Sequence, residues 1–269
     1  MFQHAGVLVE LNLLVNFSGC LQFSIEKKCL SQGIQTFAFC DPTQMVITLN
    51  LYRKDLPKVI EKFLADRGPD DRYTSFDYCY NYFRNATPNS LTKNMETSCL
   101  TLGFYLASWG MLRGSSYLLN KSVKHFQPTI EYIATLEKSV WKIDLDRYTA
   151  ENMELILGIY EELIETLDVG GKAHRTLVTK IMLGVFGFIP AFDQYFKDAF
   201  GRIFKGECAF NTVSKMSLGC LSEFYEANRS EINKISGRTR TYDFETGKKT
   251  KLKYPKAKIV DMYGFMTGK

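Results

Sequence analysis

From residue 51 onward, apolar residues recur at spacings of three and four, which is the period of a helix with one buried face. Leu56, Ile60 and Leu64 follow this pattern, and a second helix begins near Tyr73 and stops near Pro88. The pattern therefore predicts a mainly α fold, a multi-helix globular domain. Further helices are predicted over residues 94–119, 128–141, 149–167, 172–186, 191–204, 212–235 and 255–266. Thr149 is predicted to be the N-cap of the helix over 149–167.

The C-terminal segment departs from this period, because polar and apolar side chains alternate over residues 240–244 and 249–254. Glu245-Thr-Gly-Lys lies between them and is typical of a turn, so the alternation predicts a β-hairpin. We therefore expect a single helical domain over residues 45–269 with a small C-terminal β-hairpin, whose basic part lies at 238–254.

Residues 1–44 differ in composition from the rest of the chain, since they hold only five charged side chains and three of the seven cysteines. The periodic pattern becomes clear at Met45. Two interpretations stay open. In one, residues 1–44 are an N-terminal extension outside the folded domain, added by a misassigned upstream start. In the other, they form an ordinary N-terminal strand pair.

The sequence also indicates a compartment and excludes some chemistry. No uninterrupted apolar run reaches the roughly 18 residues of a membrane-spanning helix, so we expect no membrane partner. Seven cysteines without a C-x-x-C spacing do not resemble a disulfide framework, and three scattered histidines do not complete a zinc site. We predict a cytoplasmic protein with free thiols, no metal and no cofactor.

Charge is spread unevenly along the chain, and this matters more than the net charge of +5. Residues 229–258 hold ten basic and three acidic side chains, whereas residues 131–168 hold ten acidic and three basic ones. The basic character thus belongs to the hairpin region and not to the whole protein.

The hairpin combines cations with aromatic residues, since Tyr242, Phe244 and Tyr254 are interleaved among its basic side chains. Cations neutralise phosphates and aromatic rings stack on bases, so this combination favours binding of DNA or RNA. The alternative is an edge hairpin whose lysines prevent aggregation. The cations predicted to contact nucleic acid are Arg238, Arg240, Lys248, Lys249, Lys251 and Lys253.

A second candidate site lies where one predicted helix ends at Gly184-x-x-Gly187, the chain turns through Pro190, and a new helix starts with Asp193 in its first turn. Residues 174–200 here resemble part of the helix-hairpin-helix DNA glycosylases. In that family a glycine-rich hairpin binds the phosphate backbone, and an Asp shortly after it assists loss of a flipped base.

The resemblance implies a catalytic role for Asp193 and phosphate contacts for Gly184 and Gly187, and we add Lys180 to the phosphate-binding residues. The chain departs from the family pattern in two ways. The glycines are not in a Gly-x-Gly arrangement, and the turn between the two predicted helices, residues 184–193, holds no lysine. The other interpretation makes Asp193 an ordinary N-terminal charge of a helix.

Arg113 is the third candidate, because it lies between glycines and serines in an apolar segment predicted to be helical. A buried arginine is costly unless it is paired or faces a ligand, so Arg113 is either part of an anion site or a surface residue paired with an acid. The phrase Ser108-Trp-Gly-Met-Leu-Arg-Gly-Ser-Ser116 resembles a recurrent stretch of uncharacterised bacterial helical proteins, which implies no activity.

Together these features predict a protein that binds nucleic acid through a basic C-terminal hairpin, with a DNA-glycosylase-like helical core as an addition. The alternative is a non-catalytic helical module for protein–protein interaction. In that alternative, the acidic segment 131–168 of one copy docks on the basic segment 229–258 of another, giving a homo-oligomer.

Overall fold

A computed structural model of the chain describes residues 12–15, 21–24, 56–65, 67–167 and 174–269. The chain divides into two units, Met1–Asp41 and Pro42–Lys269. In the first, strand β1 (Asn12–Val15) pairs antiparallel with β2 (Leu21–Ser24). The interpretation of residues 1–44 falls mostly outside the described residues, so it stays a prediction.

The second unit is mainly helical, as the periodicity predicted. Short 3-10 turns connect several of its helices. The first helix, α1, covers 56–64 in the described part of the chain. The others are α2 (Ser75–Asn85), α3 (Pro88–Lys93), α4 (Met95–Ser108), α5 (Gln127–Thr135), α6 (Ala150–Thr166), α7 (His174–Val185), α8 (Gln194–Ile203), α9 (Lys215–Ala227), α10 (Arg229–Arg238) and α11 (Lys256–Gly268).

Several helix boundaries follow from the local sequence. Thr149 caps α6, and its hydroxyl accepts a hydrogen bond from the backbone N–H of Asn152 at 3.2 Å. Pro88 occupies the first turn of α3, where its missing N–H has no cost. The predicted stop near Pro88 and the predicted cap at Thr149 are therefore both confirmed.

The helix predicted over 94–119 is wrong in its second half, because α4 ends at Ser108. Gly110 (φ +79°) and Gly114 (φ +61°) adopt left-handed backbone that an α-helix does not contain. The segment predicted as one helix over 212–235 is two helices. Asn228 separates them, and its side-chain amide donates to the carbonyl of Phe224 at 2.8 Å.

The core is built from closely packed aromatic rings around α7, α8 and α11. Residues 177–192 are buried without interruption, and α8 packs along α11. The rings of Phe196 and Phe200 stack with centroids 4.2 Å apart. A Cβ at Gly264 would lie 2.5 Å from the Phe196 ring, so only glycine lets α11 come this close to α8.

The C-terminal hairpin is present, as predicted. It consists of β3 (Arg240–Tyr242) and β4 (Lys249–Lys253), which pair antiparallel between α10 and α11. Within the described residues, no helix is both long and apolar enough to span a bilayer.

Two glycines in helices give opposite expectations for substitution by alanine. A Cβ at Gly184 on α7 would overlap the ring of Tyr105, whereas a Cβ at Gly158 on α6 would meet nothing within 4 Å. We predict that Gly184→Ala lowers the free energy of unfolding by about 1–3 kcal/mol through overpacking. Gly158→Ala should raise it by about 0.5–1 kcal/mol, since alanine favours the helix. Urea denaturation measures both, and equal effects would contradict the packing described for α7.

Candidate nucleic-acid interface

The three lysines of β4 are all exposed to solvent. Lys249, Lys251 and Lys253 are exposed, whereas Thr250 and Leu252 between them are half-buried. The pairing of β4 with β3 shifts register along this segment, so the strand is not regular here. The strand nevertheless presents three exposed cations within five residues, an arrangement suited to a polyanion.

The turn of the hairpin is held by its own polar groups. Asp243 accepts hydrogen bonds from the backbone N–H and the hydroxyl of Thr246, at 2.9 and 2.7 Å. These bonds lower the pKa of the Asp243 carboxyl. Gly247 adopts φ +64°, a left-handed conformation that favours glycine, and its N–H donates to the carbonyl of Asp243 at 3.0 Å. The position of the turn is therefore fixed relative to the strands.

A buried carboxylate on α2 anchors the hairpin to the helical core. Asp77 Oδ2 accepts the backbone N–H of Tyr242 at 2.9 Å, and Oδ1 accepts the hydroxyl of Tyr254 at 2.5 Å. Arg67 Nη2 lies 3.4 Å from the same Oδ1. Asn81, one turn along α2, donates to the carbonyl of Tyr242 at 2.8 Å. Both ends of the hairpin are thus tied to one helix.

Arg67 and Tyr254 complete this network. Arg67 Nη1 donates to the Tyr254 hydroxyl at 2.6 Å, and the hydroxyl donates in turn to Asp77. Burial raises the pKa of the Asp77 carboxyl, and Arg67 and Tyr254 oppose that rise. Burial also raises the pKa of the Tyr254 hydroxyl well above its usual value, so this group stays protonated and remains a donor.

Two depressions flank the hairpin, one on each side. The first, of about 450 Å³, is lined by Arg67, Arg238, Arg240 and Lys249, with Glu61 as its acidic residue. The second, of about 470 Å³, is lined by more cationic side chains than the first. Its cations come from three separate segments of the chain, and they are Arg84, Lys142, Arg147, Lys251, Lys253 and Lys256.

Sequence reasoning missed the contribution of Arg84, Lys142 and Arg147, because these residues lie far from the hairpin in the chain. The acidic residues of the second depression are partly neutralised, since Lys256 Nζ lies 3.1 Å from Asp146 and 3.8 Å from Asp144. Long-range packing alone brings these cations beside β4, so no local pattern in the sequence could have predicted them.

Asp144 is held by the start of α11. Its carboxylate accepts the backbone N–H groups of Lys256 and Ala257, at 2.8 and 3.0 Å. Burial raises its pKa to about 6, although Lys256 and these N–H groups favour the charged form. Asp144 thus fills the N-terminus of α11 within the second depression, which Lys251 and Lys253 of β4 also line.

The predicted hairpin cations do lie together, but they differ in their partners. Arg238 is exposed and pairs with Glu61 at 2.6 Å, while Arg240 Nη1 donates to the carbonyl of Gly237 at 2.6 Å. The lysines are different, since no carboxylate in the described ranges lies within ion-pair distance of any of them. These exposed lysines are Lys248, Lys249, Lys251 and Lys253.

The three aromatic residues of the hairpin are not equivalent. Tyr254 is 2 % exposed and belongs to the Asp77 network, so the idea that it stacks on a base is wrong. Tyr242 is half-buried, and its hydroxyl donates to the carbonyl of Arg67 at 3.0 Å. Phe244 is 78 % exposed in the turn and is the most exposed aromatic residue of the hairpin.

Asp193 lies away from the hairpin and has both carboxylate oxygens engaged. Oδ1 accepts the backbone N–H of Phe196 and thereby caps α8 at 3.0 Å, and Oδ2 pairs with Lys180 Nζ at 3.1 Å. Lys180 is 4 % exposed, so it is not available to hold phosphate as predicted. The structure therefore gives Asp193 the role of helix cap, and its catalytic role stays a prediction.

The two glycines assigned to phosphate binding are buried in the core. Gly184 lies against the ring of Tyr105, and Gly187 (φ +76°) lies against Tyr80 and Pro255. Their small size serves close packing, and Gly187 also needs the left-handed backbone of its turn. This packing leaves neither glycine at a surface that a phosphate backbone could reach.

Arg113 is exposed in the turn that follows α4, and not inside a helix. No acid within ion-pair distance of it is found in the part of the chain that the structure describes. The structure does not place Arg113 in either basic depression. Its role in an anion site stays a prediction.

A buried lysine was not anticipated from the sequence. Lys258 on α11 is fully buried, its Nζ donates to Asp261 at 2.7 Å, and it lies 3.9 Å above the centroid of the Trp109 ring. Burial lowers the pKa of Lys258, while Asp261 opposes this shift. Asp261 also accepts the backbone N–H of Ala191 at 3.0 Å. The pair therefore joins α11 to the turn before α8.

Comparison with protein-family models, with curated proteins and with solved structures finds no match to this chain. Among the described residues, no group of three or more His, Cys, Asp and Glu side chains is placed to hold a metal ion.

Removing the Tyr254 hydroxyl tests the anchor of the hairpin. We predict that Tyr254→Phe lowers the free energy of unfolding by about 1–3 kcal/mol, because it leaves buried Asp77 and Arg67 each without one partner. The matched control is Tyr160→Phe. Tyr160 is also buried, at 5 % exposure, and its hydroxyl has no hydrogen bond in the described residues. Thermal or urea unfolding measures both, and an equal loss would contradict the anchoring role.

Proposed function

We propose that this protein binds nucleic acid through the basic surface formed by the lysine face of β4 and its two flanking depressions. The observation that carries the proposal is the exposed row of Lys249, Lys251 and Lys253, without carboxylate partners in the described chain. A polyanion that binds such a row releases its condensed counterions, which is the main source of affinity in protein–nucleic acid complexes.

Edge protection alone does not account for this surface. Lysines that only protect a strand edge need no cations beside them, yet Arg84, Lys142 and Arg147 from other elements line the same depression. These residues widen the positive surface beyond the strand. Their convergence supports a bound polyanion, since like charges held close together cost free energy in the absence of one.

The proposal concerns binding and assigns no catalytic step. It agrees with the cytoplasmic location expected from the sequence, where thiols stay reduced. The four cysteines in the described ranges are free thiols, and they are Cys79, Cys99, Cys208 and Cys220.

Neutralising the hairpin lysines tests the proposal. The variant changes Lys248, Lys249, Lys251 and Lys253 to Gln, and binding of labelled oligonucleotides is followed by fluorescence anisotropy across a salt series. We expect wild-type affinity to fall as salt rises. The variant should bind more weakly at low salt. Its plot of log affinity against log salt should also be less steep, by up to about 3 in the magnitude of the slope, because four phosphate contacts are lost.

The control removes four exposed lysines elsewhere and so keeps the total charge change equal. It changes Lys93, Lys121, Lys124 and Lys205 to Gln, all of which are exposed and outside the basic surface. This control should retain most of the affinity and the salt slope. Equal losses in both variants, or wild-type affinity independent of salt, would overturn the proposal.

A specific observation also favours the second candidate function, a protein–protein interaction module. Helix α6 exposes five glutamates and so presents a negative face opposite in sign to the hairpin. Complementary faces favour association of two copies. These residues are Glu151, Glu154, Glu161, Glu162 and Glu165.

Analytical ultracentrifugation separates the two candidates. The interaction module predicts a dimer or larger species that dissociates as salt rises, because its contact is between opposite charges. The nucleic-acid proposal requires no association of this kind between copies of the chain. A salt-insensitive monomer would remove the case for the interaction module.

A further inference from the structure

We infer that the nucleic acid bound by this surface is single-stranded and that Phe244 stacks on one of its bases. The inference rests on the proposed function and deepens it, because it names the class of nucleic acid. Three properties of the hairpin carry it: the exposure of Phe244, the fixed geometry of its turn, and its position at the end of the lysine row.

Phe244 is exposed to an unusual degree for a large apolar side chain. At 78 % it exceeds every other large hydrophobic residue in the described chain, and its ring neighbour there is Tyr78, with centroids 5.2 Å apart. Leaving a ring in water forfeits the free energy of burying it. Burial against a base would recover that free energy, and every base offers a flat face to a ring.

The turn holds this ring in place before any ligand arrives. Asp243 precedes Phe244 and is fixed by two hydrogen bonds from Thr246, and its N–H donates to the carbonyl of Lys248 at 2.7 Å. The backbone at Phe244 is therefore already ordered. An ordered platform loses little conformational entropy on binding, which favours affinity.

The ring and the lysines can act on one strand together. Phe244 lies in the turn that leads into β4, and three exposed lysines follow along that strand. Lys249 lines the first depression, and Lys251 and Lys253 line the second. A positive track with an aromatic ring at its end is the combination that proteins use for single strands. In a duplex the bases are stacked on each other, so the ring could reach one only by unstacking a base step, at a cost of a few kcal/mol.

The experiment compares three probes of equal length: a single-stranded oligonucleotide, a duplex, and a single strand whose sugars carry no bases. The single strand is tested as DNA and as RNA. The variants are Phe244→Ala, Phe244→Trp and, as the control, Phe104→Ala. Phe104 on α4 is similarly exposed, at 68 %, and lies outside the basic surface.

We expect Phe244→Ala to weaken single-strand binding by about 5- to 100-fold, the loss typical of one stacked base. Phe244→Trp should retain the affinity, and the emission of its new exposed indole should be quenched by the single strand. The control variant should bind like wild type. The strand without bases should bind wild type and Phe244→Ala equally, because stacking is then impossible.

Failure of this inference is distinguishable from failure of the proposed function. If neutralising the hairpin lysines weakens binding but Phe244→Ala does not, the surface binds nucleic acid and the stacking role is wrong. A duplex bound as tightly as the single strand, with equal sensitivity to Phe244→Ala, would also overturn the inference. If no probe binds wild type in a salt-dependent way, the proposed function itself fails.

Discussion

The buried carboxylate of Asp77 is the group on which the arrangement of the basic surface depends. It joins Arg67, Tyr242 and Tyr254, which come from a loop, from β3 and from the residue that follows β4. A two-stranded hairpin alone is marginally stable in water, so its position has to come from the core. The same carboxylate would be costly to bury without these partners, and hairpin and core therefore stabilise each other.

Buried and exposed lysines of this protein differ in whether they have a carboxylate partner. In the core, Lys180 pairs with Asp193 and Lys258 pairs with Asp261, and both ammonium groups lie near the ring of Trp109. These pairs satisfy each other and hold the turn between α7 and α8. At the surface, the lysines of β4 lack such partners in the described residues, which leaves their charge available to a ligand.

Features that depend on neighbouring residues could be predicted from the sequence, whereas features that depend on contacts between distant residues could not. Helical periodicity and the cap at Thr149 were correctly interpreted, and the alternation over the hairpin was as well. The glycines at 110 and 114 carried a signal for a turn, but the surrounding apolar residues favoured a helix. The alternation of lysines with other residues over 248–253 was enough to predict a hairpin with exposed basic side chains. Asp77 could not be identified as the anchor, because its partners are up to 177 residues away.

Lysine footprinting of the wild-type protein shows directly whether the hairpin lysines contact nucleic acid. Lysine acetylation would be quantified by mass spectrometry with and without a single-stranded oligonucleotide at low salt. We expect protection of Lys248, Lys249, Lys251 and Lys253, with protection lost at high salt. The exposed lysines Lys93, Lys121, Lys124 and Lys205 serve as internal controls and should react equally in both samples. Unchanged reactivity along the hairpin, or equal protection of the controls, would contradict the claim.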